Sequence, residues 1–246
     1  MNDTSRSLSV ESMMDDIYRL RYQVFCKELK FMREADHPDG LEKDKYDPYS
    51  IHFTIEDSES VVGTLRLILD GPHGFPFTEY CGGDIDVDIA SLDRKKICEF
   101  SRLAILKRYR KSCGEILRYR NIYSGVAREV TPAERSGLTK CMALGLYREI
   151  YQECKRRGIT HVFALMEKPL WRFFLMQNFV FKPVSRDVYC YGVVQLYLTI
   201  VEEWEANLWR KAGEVFDFFM DGLEEEYRPH PDRRLERVSQ AEGEKW

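Results

Sequence analysis

Apolar positions recur every three to four residues over 12–30, where Met14, Ile17, Val24, Phe25 and Glu28 share one helical face with Arg21 among them. From Arg33 to Tyr49 that rhythm is lost; the stretch is rich in Asp, Pro and Gly and reads as a long loop, a place where function often sits. Residues 51–56 alternate, Ile51, Phe53 and Ile55 against His52, Thr54 and Glu56, as a strand does. The turn Asp57-Ser58-Glu59-Ser60 joins it to a second strand over 61–69, which makes a hairpin. Residues 70–94, with Gly71, Pro72, Gly74, Pro76 and the pair Gly82-Gly83, read as an irregular connection. A third strand over 96–106 is apolar enough to be central. A helix over 139–156 stops at Gly158, and a buried strand spans 160–166. Pro169 and Asn178 bracket another helix. Residues 188–200 read as one strand interrupted at Gly192. The last helix, 201–226, is amphipathic through Val201, Trp204, Leu208, Val215, Phe216 and Phe219. The pattern divides the chain into an α/β domain over 1–200, a helix over 201–227 that packs on it or on a partner, and a polar, disordered tail over 228–246.

Composition narrows the class. A chain of 246 residues, 44% hydrophobic and 32% charged, reads as a soluble globular protein that buries its own core. A net charge of −4 argues against a generic nucleic-acid binder. No apolar run is long enough to span a membrane, and the polar, acidic start is not a signal peptide. Seven scattered cysteines without a Cys-x-x-Cys pair point to free thiols in a reducing cytoplasm and to no zinc site. His37, His52, His73, His161 and His230 have no metal-ligand spacing.

The candidate chemistry lies in charges placed where a fold prefers apolar residues: Arg21, Asp44, Asp47, Arg66, Glu99 and Arg102. Buried charges must pair, and pairs lining a cleft often do chemistry. A second charged feature is residues 107–140, where Lys107, Arg108, Arg110, Lys111, Arg118, Arg120, Arg128, Arg135 and Lys140 stand against Glu115, Glu129 and Glu134.

The element order resembles the GNAT fold of acyl-CoA-dependent N-acyltransferases, a mixed sheet splayed at the acyl-donor cleft and flanked by helices. Arg21-x-x-x-Phe25, Asp44-x-x-Asp47, Gly63-x-x-Arg66 and Glu99-x-Ser101-Arg102 resemble, in order and spacing, the signature of the acyl-homoserine-lactone autoinducer synthases. One position departs: those synthases carry a Trp where this chain has Phe31. The phrases Leu20-Arg21-Tyr22-Gln23-Val24-Phe25, Asp44-x-Tyr46-Asp47-x-x-Ser50-x-His52, Val62-Gly63-Thr64-Leu65-Arg66-Leu67 and Glu99-Phe100-Ser101-Arg102-Leu103-Ala104 are closer to the acyltransferases of PEP-CTERM/exosortase systems, which are similar to N-acyl amino acid synthases. The likeness spans roughly residues 10–200.

The resemblance implies transfer of a fatty acyl group from an acyl carrier protein or coenzyme A thioester to the amine of an amino acid or similar small molecule. Attack is direct, and no permanent cofactor is implied. Glu99 is then the candidate general base and Arg102 its catalytic neighbour. Arg21, Phe25, Phe31, Asp44, Asp47, Arg66 and Ser101 form the acceptor pocket, in which an Arg fork binds a carboxylate and an Asp orients the amine. An ion-pair network that pins helix and loop to the sheet is the other reading of the same charges. Residues three apart on a regular strand face opposite sides, so a β-bulge within 98–103 is required for Glu99 and Arg102 to meet. Backbone N–H groups near Leu103, Ala104 and Ile105 then hold the donor, with Arg108, Arg110 and Lys111 at its phosphates. Arg110-x-x-x-Gly114 is a poor phosphate loop, which favours a carrier-bound donor. The aromatic and Met-rich stretch Phe163–Met176 is core, or the wall of an acyl tunnel. His52 either lines the site or packs structurally, and Cys98 reads as strand packing. Two other readings stay open: an autoinducer synthase with S-adenosylmethionine as acceptor, and a catalytically silent module that binds a carrier protein. Oligomeric state is left open.

Overall fold

The computed structural model describes residues 10–110, 118–121, 127–129 and 142–229. Helix α1 (Val10–Tyr22) runs into a π-helical turn, Gln23–Glu28. A loop with short 3₁₀ turns leads to strands β1 (Ser50–Glu56) and β2 (Val61–Ile68), an antiparallel hairpin. A short helix α2 (Pro76–Cys81) precedes the central strand β3 (Ile97–Ile105). Strands β4 (Arg118–Asn121) and β5 (Ala127–Glu129) extend the sheet beyond β1. Then come α3 (Met142–Arg157), β6 (His161–Met166), α4 (Lys168–Met176), β7 (Lys182–Tyr189), β8 (Val193–Ile200), α5 (Val201–Lys211) and α6 (Gly213–Met220). The described strands form one sheet in the order β5-β4-β1-β2-β3-β6-β8-β7. It is mixed, because β3 and β6 run parallel among antiparallel neighbours.

Alternation along the strands gives the sheet two different faces. Ile51, Phe53, Leu65, Leu67, Cys98 and Phe100 point one way, into a core closed by α3, α5 and α6. There Tyr151 meets Trp204 edge-on at 4.7 Å. The opposite face carries Ile68, Ile97 and Phe163 against Phe75 and Phe77 of the α2 region, and Ala104 against Leu20 of α1 and Val24 of the π-helical turn. His52, Thr64, Arg66 and Glu99 are buried on that second face too. The site is built from it.

Three expectations change. The strand expected over 188–200 is two strands, β7 and β8, joined at Cys190–Gly192. Tyr191 turns there with φ 55°. β7 hid because Lys182, Pro183, Arg186 and Asp187 make a polar run, which an exposed edge strand tolerates. The helix expected over 201–226 breaks at Ala212 (φ −148°, ψ 60°), and α6 ends at Met220 before Gly222, whose φ is 80°. The connection over 70–94 contains α2, started by Pro76 at its first turn. Most of the basic stretch 107–140, with Lys111 and Gly114, and the tail beyond 229 lie outside the described residues.

Candidate functional site

The loop after α1 carries the acids that α1 and the sheet need. Asp44 accepts from the N–H of Tyr46 at 2.9 Å, and Asp47 accepts from the N–H of Asp44 at 2.7 Å. These short-range bonds form a turn that aims both carboxylates at the sheet. Arg21 donates to Glu42 and, at 2.7 Å, to Asp47. Arg66 grips Asp44 with two nitrogens at 2.7 and 3.0 Å, reaches Asp47 at 2.6 Å and donates to Ser101 Oγ at 2.9 Å. Arg102 donates through Nε to Glu42 at 3.1 Å and through Nη2 to Asp44 at 3.0 Å. Three guanidiniums thus meet three carboxylates in one lattice that ties α1, the loop, β2 and β3 together.

Burial divides this lattice. The side chains of Arg21, Glu42, Asp47 and Arg66 are all but sealed, whereas Asp44 keeps 23% and Arg102 17% of its side-chain surface open. Arg21, Asp47 and Arg66 therefore sit behind the wall of the cleft, and Arg102 is on it. Burial pushes the Glu42 carboxyl up, but Arg102 and Arg21 overcome it and hold it down at about 2. The same contest leaves Asp44 and Asp47 below the ordinary carboxylate range, with Arg66 the main opponent of burial at Asp44 and Arg21 at Asp47. His52 packs beneath, its Nε2 at 3.6 Å from Asp47, and burial pushes its imidazole down to about 4. It lies under the lattice, away from the cleft lining.

The register between β2 and β3 slips between Thr64 and Arg66: Thr64 faces Ala104 while Arg66 faces Ser101. The bulge centres on Arg102, whose φ is 55°. Ser101 and Arg102 consequently both project toward the α1 face, the side that holds Glu99. Just there the sheet opens. β3 pairs with β6 only from Ile97 to Phe100, so Ser101–Ile105 have no strand partner on that side among the described residues, where β6 continues with β8.

A cavity of about 190 Å³ occupies the opening. Phe25, Phe31, Pro76, Tyr80 and Tyr191 wall its α1 side; Phe100, Tyr147, Ala164, Met166 and Leu170 line its depth toward α3. The cleft therefore passes between β3 and β6, from one face of the sheet to the other. Glu99 stands at the crossing, 1% exposed, with Oε2 accepting the Phe77 N–H at 3.0 Å. Burial raises its carboxyl to about 8, against the weaker pull of that N–H, Arg66 and Arg102. Arg102 fails to offset burial because its own charge is committed to Glu42 and Asp44.

Among the expected donor contacts, Leu103 lines the cleft, Ala104 is buried against α1, and Ile105 packs toward the α3 core. Arg108 lies 3.7 Å from Asp57, and Arg110 bonds Glu28 at 2.8 Å and the Ile105 carbonyl at 2.7 Å. Of the stretch Phe163–Met176, Ala164, Leu165, Met166, Glu167 and Leu170 reach the cleft. Phe163 and Phe174 are core, and Trp171 stacks on Tyr197 at 5.3 Å.

The sequence reading missed Glu42, although charge balance announces it: three arginines against Asp44 and Asp47 leave one cation unpaired, and Glu42 is the nearest acid in the same loop. It also missed Tyr80 and Tyr191. Their signals, an α2 opened by Pro76 and a Tyr-Gly hairpin tip, are visible in the chain but weak.

A sheet that parts beside a bulged central strand decides the fold. The chain has a GNAT fold. Residues 20–119 match the sequence profile described as "Acetyltransferase (GNAT) domain". The GNAT architecture is shared with a CoA-dependent acyl-homoserine lactone synthase, BjaI, solved with SAM and isopentyl-CoA (19% identity, TM-score 0.54, 87% of this chain and 82% of that one). It is shared too with TofI, solved in a ternary complex with an inhibitor and MTA (14% identity, TM-score 0.55, 87% and 93%). A third similar structure is FeeM, an N-acyl amino acid synthase from uncultured soil microbes (14% identity, TM-score 0.50, 81% and 91%). No curated protein matches the sequence. Among the described residues, no helix is long and apolar enough to cross a membrane.

Proposed function

We propose that this GNAT-fold protein is an N-acyltransferase, moving a fatty acyl group from a carrier-protein or coenzyme A thioester to the amine of an amino acid or similar small molecule. The observation that carries the reading is Glu99, a buried carboxyl raised to about 8 at the point where an apolar cleft crosses the sheet. A base of that strength suits an ammonium group far better than an ordinary carboxylate does. The acyl chain fits the apolar depth between Phe100, Tyr147 and Met166, which holds few polar groups to desolvate. The thioester carbonyl lies along the unpaired edge of β3 at Ser101–Leu103, where backbone N–H groups stabilise the oxyanion. The acceptor enters from the aromatic mouth formed by Phe25, Phe31, Tyr80 and Tyr191.

In the reaction the ammonium gives a proton to the Glu99 carboxylate and the freed amine attacks the thioester carbon. As the C–N bond forms the C–S bond breaks, and the thiolate leaves with the second amine proton. Arg21, Asp47 and Arg66 act from behind the wall, holding Arg102 and Asp44 in place. Mass spectrometry of lipid extracts from cells overproducing the protein tests the reading, with N-acylated amines expected. Acyl lactones would instead mark S-adenosylmethionine as acceptor, and no new lipid from the wild type would sink acyl transfer. Glu99→Gln is expected to lose product while unfolding as cooperatively as the wild type. Near-normal turnover in that variant would remove Glu99 from the mechanism.

A further inference from the structure

Two carboxyl side chains line the cleft among the described residues, Glu99 and Glu167. Glu167 belongs neither to the arginine–carboxylate lattice nor to the crossing. It follows β6 at the position where alternation past Phe163 and Leu165 continues on the Glu99 face of the sheet. It is also the N-cap of α4, yet its side chain makes no capping bond. Glu and Lys neighbours elsewhere on the surface pair freely; Lys168, the next residue, bonds Asp187 at 2.8 Å. The Glu167 carboxylate has neither a hydrogen-bond nor an ion-pair partner among the described residues. Its Oε1 approaches the hairpin tip, 3.8 Å from where a Cβ on Gly192 would stand.

The charge around it is otherwise settled. Arg21, Arg66 and Arg102 balance Glu42, Asp44 and Asp47. Arg102, the one cationic side chain among the described lining residues, belongs to that lattice. A second observation points to a ligand: Glu99, 1% exposed, uses only Oε2, and its other oxygen has no partner among the described residues. Among the described residues, the cleft thus presents one carboxylate without a partner at the Tyr191–Gly192 tip and one buried carboxyl with a free oxygen, on the same side of the sheet. Aromatic faces favour cations as well, and Arg102 already lies over the Tyr191 ring at 5.9 Å.

We propose that Glu167 binds the ammonium group of the acceptor and hands it, correctly placed, to Glu99. The inference rests on the acyl-transfer reading and deepens it, because it makes the site select amines that arrive charged. Glu167 accepts a charge-assisted hydrogen bond from the incoming ammonium, and Glu99 removes the proton at the crossing. A weakly basic amine, neutral in solution, gains nothing from Glu167.

The test uses the full-length protein, a fatty acyl thioester donor and two amines of similar size, an alkylamine and a weakly basic O-alkylhydroxylamine. Glu167→Gln is expected to raise KM for the alkylamine about tenfold, with kcat within about threefold and KM for the O-alkylhydroxylamine unchanged. Glu167→Asp is expected to recover part of the loss. An equal rise in both KM values, or none, would overturn the proposal. Calorimetry keeps it separate from the acyl-transfer reading: Glu99→Gln protein should bind the alkylamine, and the Glu99→Gln/Glu167→Gln double variant should bind it about tenfold less tightly. Retained, Glu167-dependent binding without any acylation by the wild type would remove acyl transfer and leave the ammonium site standing. Equal binding by both variants would remove the ammonium site, whatever the wild type acylates.

Discussion

Glu42 illustrates how one side chain holds a lattice together. Its two oxygens serve Arg21 and Arg102, and it is sealed from water. Glu42→Gln keeps the shape but leaves three guanidiniums facing two carboxylates: Arg21 keeps Asp47 and Arg102 keeps Asp44, and one buried positive charge goes uncompensated. A loss of about 3 kcal/mol in urea unfolding is expected, the low end for breaking a buried pair. Glu99 behaves in the opposite way. Its folded pKa of about 8 lies above the ordinary 4.5, so the folded state keeps a proton that the unfolded chain releases. The stability this gives is full below about pH 4.5 and is lost as pH rises through about 8. Glu99→Gln, which cannot ionise, is therefore expected to melt higher than the wild type near pH 9 and close to it near pH 5. Equal melting temperatures at both pH values would show that Glu99 is not buried as an acid.

The bulge and the split of β3 from β6 make the cleft. A regular strand would turn Arg102 to the α3 side, away from Glu42 and Asp44, and would leave the lattice one cation short. The energy of that lattice holds Arg102 at a positive φ that costs a non-glycine residue roughly 1–2 kcal/mol. The depth of the cleft is set by α3 and β6, where Ala164 is small and Tyr147 stands across the opening. Ala164→Phe should fill that depth. Loss of long-chain products, with short-chain turnover kept within about threefold of the wild type, is the expected result by mass spectrometry. Unchanged chain-length selection would mean that the acyl group lies elsewhere. Much of this was legible along the chain. The helix, the hairpin and the central strand follow from periodicity; the bulge within 98–103 follows from the GNAT likeness taken with the three-residue spacing of Glu99 and Arg102. β7 and α2 were not legible, because an edge strand and a short cap helix carry no strong apolar rhythm.

For the molecule as a whole, stability and activity respond to pH in opposing ways. His52, pushed by burial down to about 4 from 6.5, stays neutral where the unfolded chain takes up a proton, which removes stability as pH falls from about 6.5 to 4. Glu42, held at about 2, removes more between about 4.5 and 2. Glu99 adds stability on acidification between about 8 and 4.5. The sum is a plateau between about pH 4.5 and 6.5, with losses on either side, measurable by urea unfolding across the range. The reaction needs Glu99 ionised, so kcat is expected to climb through pH 7 and level off above about 8, where the fold is past its most stable point. A flat rate between about pH 6 and 9 would exclude Glu99 as the group that titrates.

The sequence by itself determined the main helices and strands, the GNAT likeness and the set of charges that had to find partners, because periodicity and a charge set among apolar positions are local properties of the chain. It left two readings of those charges open, and only the tertiary structure divided them among the wall, the crossing and the mouth of the cleft. Whether a carboxylate is sealed with two arginines, as Glu42 is, or has no partner among the described residues, as with Glu167, depends on distances across the fold. Burial at Glu99 outweighs Arg102 for the same reason: the folded loop had already claimed that arginine's charge.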